Sequence, residues 1–172
     1  YSSRRQRQMC IRDRDIPSLK KLSKKNPKTL FLVPKGDQKL LNRKGIKNTR
    51  EFLWWENIEI KGTKFTFTPT QHWSARGLAD RNKSLWGGWF MSFPNFKSFH
   101  AGDSGYSKDF QDTQAKLGKP NLSLIPIGAY APRWFMKANH VNPEEALQVA
   151  LDLGSKKNYA MHWGPFQITD EE

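Results

Sequence analysis

Residues 141–164 read VNPEEALQVALDLGSKKNYAMHWG. Asn142 can cap a helix, Pro143 suits its first turn, and Glu144 and Glu145 complement the positive end of the helix dipole. Ala146, Leu147, Ala150 and Leu151 supply an apolar stripe expected to be buried, and Gly154 stops the helix. Asn158–Met161 then reads as a strand running into His162. A capped helix that hands over to a strand ending on a histidine points to a layered α/β arrangement.

The alternation continues upstream. Leu122–Ile127 reads as a strand, and Ser107–Leu117 as a helix ended by Gly118. Leu85–Phe93 and Lys97–Ala101 form a hairpin around Pro94-Asn95. Phe52–Phe67 forms another, in which Asn57–Ile60 and Lys64–Thr68 flank Lys61-Gly62 and place Phe65 and Phe67 on one face. Gln38–Arg43 reads as a helical turn, and Thr29–Val33 (TLFLV), bounded by prolines, as a buried strand. Pro17–Lys25 reads as a short amphipathic helix with Leu19 and Leu22 inward. Antiparallel hairpins followed by helix–strand–helix–strand give a mixed sheet, and there is neither an internal repeat nor a low-complexity linker.

Composition narrows the function classes. Aromatic residues make up 13% of the 172, including 7 Trp and 11 Phe, which is enough ring surface to argue against disorder. No apolar run approaches the roughly 20 residues that span a bilayer, and no signal peptide is visible. The single cysteine, Cys10, excludes an internal disulfide framework and a cysteine-rich zinc site. A net charge of +13 favours anionic partners. One rival reading is therefore a basic module that binds single-stranded nucleic acid, but it calls for cations interleaved with aromatics. Here Trp73, Trp86, Trp89 and Trp163 stand beside Gly or His, while Lys20, Lys21, Lys24, Lys25 and Lys28 cluster near the amino end as a solvated helix face. No nucleic-acid partner is expected. Tyr1–Arg14 (YSSRRQRQMCIRDR) has no periodicity, resembles a translated sequencing-adapter string, and is expected to be a non-native tail. Residues 15–172 are then expected to carry the functional domain.

The chemistry lies at strand ends. His72 follows KFTFTPT, Asp103 follows KSFHAG, and His162 follows NYAM, each with glycine or serine close by. Functional groups gather at the carboxyl ends of strands because the sheet fixes them around a crevice. Imidazole nitrogen and carboxylate oxygen suit zinc or another borderline divalent ion, and the two oxygens of Asp103 could bridge a pair of ions.

TPTQHWSARG (68–77), LWGGW (85–89), FHAGDSGY (99–106), PIGAYAPRWFMKANHVNPEEA (126–146) and MHWGPF (161–166) together resemble the metallo-β-lactamase superfamily. More narrowly they resemble the N-acylphosphatidylethanolamine-hydrolysing phospholipase D family, over essentially Asp15–Ile168. The resemblance implies an αββα sandwich holding two zinc ions at the sheet edge, with His72 on one ion, His162 on the other and Asp103 bridging and catalytic. It places His140 in the active site as a catalytic residue that contacts substrate or leaving group without binding metal. The HxHxDH motif that supplies the superfamily's other ligands does not occur here, and DIPSLKKL resembles the family segment immediately C-terminal to that motif. The expectation is thus the C-terminal portion of such a sandwich, impaired by itself, within an intact protein that uses two zinc ions.

The implied reaction is zinc-dependent hydrolysis of a phosphodiester, with a phospholipid as substrate and a peripheral membrane contact as partner. A lactonase or other C–O hydrolase of the same fold is the alternative. Trp73, Arg76 and Arg133 are the expected substrate-binding residues, with the arginines pairing with phosphate and Trp86, Trp89, Trp134 and Phe135 joining Trp73 along an acyl groove. Tyr106 and His100 are expected to support Asp103 from behind. A cytoplasmic or peripheral-membrane location follows from the same reading.

Overall fold

A computed structural model describes residues 15–75 and 79–163, which fall into two compact units. The first comprises residues up to Leu53 together with Trp73–Leu85. It contains α1 (Ile16–Lys25), β1 (Phe31–Pro34), α2 (Gln38–Arg43) and β2 (Thr49–Phe52). β1 and β2 pair in parallel, with Phe31 opposite Thr49 and Pro34 opposite Phe52. Val33, Leu41 and Ile46 form the small core, onto which Ile16, Leu19 and Phe31 pack. Leu22, expected inward, is exposed instead, because the face that meets the core is set by Ile16 and Leu19 one turn earlier. The five lysines of the amino-terminal cluster are all exposed, as a solvated face requires.

The second unit is Trp54–His72 with the residues from Trp86 on. It is built on a six-stranded sheet in sequence order: β3 (Asn57–Ile60), β4 (Thr63–Thr68), β5 (Gly88–Phe93), β6 (Phe96–His100), β7 (Leu122–Pro126) and β8 (Lys157–Met161). β3 to β6 run antiparallel, whereas β6–β7 and β7–β8 are parallel. The first hairpin turns at Lys61-Gly62, where both residues have positive φ (50° and 75°), the backbone twist that two-residue hairpins prefer. Parallel neighbours need crossovers, and these are α3 (Asp109–Leu117) and α5 (Pro143–Leu153). The short α4 (Arg133–Met136) lies between β7 and α5.

α5 starts as its sequence dictates. Asn142 accepts from the Glu145 N–H at 2.8 Å, Glu145 reaches back to the Asn142 N–H at 3.3 Å, and Gly154 ends the helix in the left-handed conformation. Its buried face differs from the expected one. Ala146, Val149 and Leu153 enter the core with Phe90, Phe99, Phe110, Ile125 and Val141, while Leu147 and Leu151 are 70% and 73% exposed. Each residue advances about 100° around a helix, so a face centred on Val149 carries Ala146 and Leu153 inward and turns Leu147 and Leu151 to solvent.

Candidate functional site

Three loops of the second unit converge beyond the ends of β4, β6 and β7. The segment after β4 is laced to the loop after β6: the Gln71 carbonyl accepts from the Gly105 N–H at 2.8 Å, and the Gln71 N–H donates to the Ser104 hydroxyl at 3.1 Å. The Trp86 indole N–H donates to the Thr70 carbonyl at 2.8 Å, which holds this segment from the other side. The loop leading to α5 joins them, because the Gln71 side-chain amide donates to the Ala138 carbonyl at 3.1 Å and the Val141 N–H donates to the Ser104 carbonyl at 2.8 Å. Gly105 permits this packing. A Cβ there would lie 2.6 Å from the Ala138 carbonyl oxygen, closer than real side chains approach.

His162 is brought in from β8. The Ile127 N–H donates to the Met161 carbonyl at 2.9 Å, and a Cβ on Gly128 would lie only 1.9 Å from the His162 carbonyl oxygen, so glycine is required for the two chains to meet. His162 itself sits at φ 72°, a conformation that costs a non-glycine residue roughly 1–2 kcal/mol and is retained here by the close backbone contact around it.

These loops bring four side chains together. Asp103 and His162 are in direct contact between carboxylate Oδ1 and imidazole Nδ1. The His72 and His140 rings meet edge to face, their centroids 5.2 Å apart. His140 is buried, and its Nδ1 has no hydrogen-bond partner among the described residues. The electrostatics tie the pairs together. Burial pushes the Asp103 carboxyl up, but the hydrogen bond from His162 and the positive potential of His162, His140 and His72 outweigh it and hold the group at about 2. Burial lowers His140 to about 4, with Asp103 opposing and His72, His162 and Arg133 reinforcing the shift. His100 is also lowered, first by burial and then by His162. Its Nδ1 accepts from the Gly102 N–H at 3.1 Å, so this ring is fixed within its own turn.

The donors present suit a borderline divalent ion: the imidazoles of His72 and His162 and a carboxylate, Asp103, held ionised, with buried His140 beside them. Among the described residues, however, no group of three or more His, Cys, Asp or Glu is drawn into a metal-holding arrangement. The set fits part of a metal site, with Asp103 engaged by His162.

The expected substrate contacts are distributed differently. Arg133 donates from Nη2 to both Glu145 carboxylate oxygens and from Nη1 to the His140 carbonyl, each at 2.8 Å. Trp134 and Phe135 stack edge to face at 5.7 Å with Trp134 86% exposed, so they form a projecting surface. Trp86 and Trp89 serve packing, the first through Thr70 and through Trp54 at 5.6 Å, the second against Phe67 at 5.1 Å. Trp73, in the first unit, is half-buried under the Arg81 guanidinium. The Tyr106 hydroxyl donates to Asp152 on α5 at 2.7 Å, which ties it to the helix. Arg76, Cys10 and the residues after Trp163 lie outside the described residues.

The sequence reading missed Ser104, which is fully buried and joins two of the loops, and Gln71, which bridges all three. The only signal was their position beside His72 and Asp103.

The model of the β-lactamase superfamily domain matches residues 14–163. A mitochondrial N-acyl-phosphatidylethanolamine-hydrolyzing phospholipase D of Saccharomyces cerevisiae is 38% identical over 91% of this chain and 35% of its own length. The Caenorhabditis elegans N-acyl-phosphatidylethanolamine-hydrolyzing phospholipase D 1 is 36% identical over 92% of the chain and 47% of its own length. The chain thus spans between about a third and a half of these relatives. Among solved structures, Igni18, a metallo hydrolase of the archaeon Ignicoccus hospitalis, superposes with a TM-score of 0.69 at 20% identity, covering 85% of this chain and 57% of that one.

Proposed function

Because the chain belongs to the β-lactamase superfamily domain family, we propose that its protein is a zinc-dependent phosphodiesterase of the N-acylphosphatidylethanolamine phospholipase D type. The observation that carries the reading is the meeting of His72, Asp103, His140 and His162 in a chain so similar, along most of its length, to two such phospholipases. His72 and His162 would each hold one ion, and Asp103 would lie between them. The chemistry that such ions supply is Lewis acidity: water becomes hydroxide near neutral pH, and the phosphoryl oxygen is polarised.

The protein's own groups set the rest. Asp103, held ionised, offers a full negative charge and two oxygens at any physiological pH. His140, kept neutral by burial, presents an unprotonated nitrogen in a dry setting. The neutral ring still carries one N–H, which is suited to donate to the alcohol oxygen that leaves phosphorus, and the neutral state avoids a buried positive charge beside His72. Trp134 and Phe135 give an exposed aromatic surface near His140 in sequence, the kind of amphipathic surface that meets acyl chains or a lipid headgroup layer. No helix among the described residues is long and apolar enough to cross a membrane.

The substrate class is tested with a hybrid in which residues 15–163 replace the matching segment of the yeast relative. The hybrid is expected to release phosphatidate from N-acylphosphatidylethanolamine while leaving an aliphatic lactone intact. Turnover of the lactone without the phosphodiester would overturn the assignment.

A further inference from the structure

We infer that Arg133 is a positioning residue that fixes His140, and that it is not a ligand of the substrate phosphate. The use to which His140 is put rests on the phosphodiesterase reading; the positioning itself does not.

The planar guanidinium spans two partners at once. Nη2 grips both oxygens of Glu145 and Nη1 takes the His140 carbonyl, all at 2.8 Å. Glu145 is itself fixed as the third residue of α5, where it closes the capping box with Asn142. The chain from Arg133 to Glu145 is therefore closed on itself, and His140 lies inside the closed segment. The backbone is held on both sides of that residue. The His140 N–H donates to the Met136 carbonyl at 2.9 Å, its carbonyl accepts from Arg133, and the next N–H, of Val141, donates to Ser104. With its main chain fixed at both ends, the imidazole stays buried and edge-on to His72.

The same contacts argue against phosphate binding. Glu145 neutralises the guanidinium at salt-bridge distance, so an incoming phosphate would have to displace a carboxylate already bound through two oxygens. Lysine cannot reproduce the contact, because a single ammonium nitrogen does not span the Glu145 carboxylate and the His140 carbonyl as Nη2 and Nη1 of the planar guanidinium do.

The test uses the full 172-residue chain and reads acylation of neutral imidazoles by diethyl pyrocarbonate, resolved at each of the 4 histidines by mass spectrometry. In the parent chain buried His140 is expected to react slowly and half-exposed His162 rapidly. In Arg133→Lys and Glu145→Gln the His140 rate should rise at least about tenfold while His100 is unchanged, since only the local restraint is released. Asn142→Ala removes the cap side chain but leaves both Arg133 contacts in place, so His140 should be exposed much less than in Glu145→Gln. If Arg133→Lys fails to fold, all four histidines react together and Glu145→Gln carries the test. Continued protection of His140 in Glu145→Gln would overturn the inference, as would equal exposure in Asn142→Ala. Loss of inorganic phosphate binding in a folded Arg133→Lys with His140 still protected would assign Arg133 to the phosphate instead. None of these readouts involves hydrolysis, so failure here and failure of the phosphodiesterase reading are separable.

Discussion

The Asp103 carboxylate and the His162 imidazole touch directly, although the residues stand on loops after β6 and β8, separated in the sheet by β7. Burial alone would raise the Asp103 carboxyl; the contact with His162, reinforced by His140 and His72, reverses the sign and takes it to about 2. His162→Ala should therefore raise the Asp103 pKa from about 2 towards its ordinary value of 3.8 in the metal-free chain, His140 and His72 still opposing burial. Carboxyl NMR titration reads the change directly, and a value unmoved from about 2 would show that His162 is not the cause.

Acid should destabilise the metal-free chain in two stages. His140 binds its proton near 6.5 when unfolded and only near 4 when folded, so the unfolded state takes up more protons as pH falls through that window. The stability lost across it is about 3 kcal/mol. Asp103 acts lower, its contribution fading as pH falls from near 3.8 towards about 2. Denaturant unfolding at a series of pH values should show a slope between pH 6.5 and 4 that His140→Gln removes. A flat profile in that range would contradict the burial of a neutral His140.

The exposed and buried faces of α5 should separate cleanly under substitution. Leu147→Ala and Leu151→Ala should change stability by less than about 0.5 kcal/mol, because both side chains are already in water. Val149→Ala should cost about 2 kcal/mol through the cavity it leaves, and Asn142→Ala about 1 kcal/mol through loss of the cap. Thermal unfolding of the four variants gives the ranking.

The helix shows where sequence reading succeeds and where it stops. Its cap, first-turn acids and terminal glycine are local chemistry, and Asn142, Pro143, Glu145 and Gly154 all act as their types require. The buried face depends on which neighbour the helix meets; with alanine and leucine at adjacent positions, composition could not choose between Leu147 and Val149. The hairpin at Lys61-Gly62 was legible for the same local reason. β2 was not, because Thr49–Phe52 (TREF) lacks an alternating apolar pattern and becomes a strand only by pairing with β1. At the site, the placement of His72, Asp103 and His162 after strands was visible. The commitment of Arg133 to Glu145 was not, since a free and a paired arginine look alike in sequence.

Gly105→Ala should loosen the site without touching a titratable group. Its new methyl would meet the Ala138 carbonyl, forcing apart the loops that carry Asp103 and His140. Overpacking of this kind costs about 1–3 kcal/mol. The expected result is a lower unfolding midpoint together with faster acylation of His140, and an unchanged midpoint would contradict the close packing.

The central claim, that His72, Asp103 and His162 are metal ligands, is tested most directly by zinc content. The hybrid of residues 15–163 within the yeast relative should be compared, by elemental analysis after dialysis, with its His72→Ala, Asp103→Ala and His162→Ala variants. The account predicts about two ions in the hybrid and the loss of at least one in each single variant, since each removes a protein ligand from an ion that normally has three or four. Three variants that all keep the hybrid's full zinc content would contradict it.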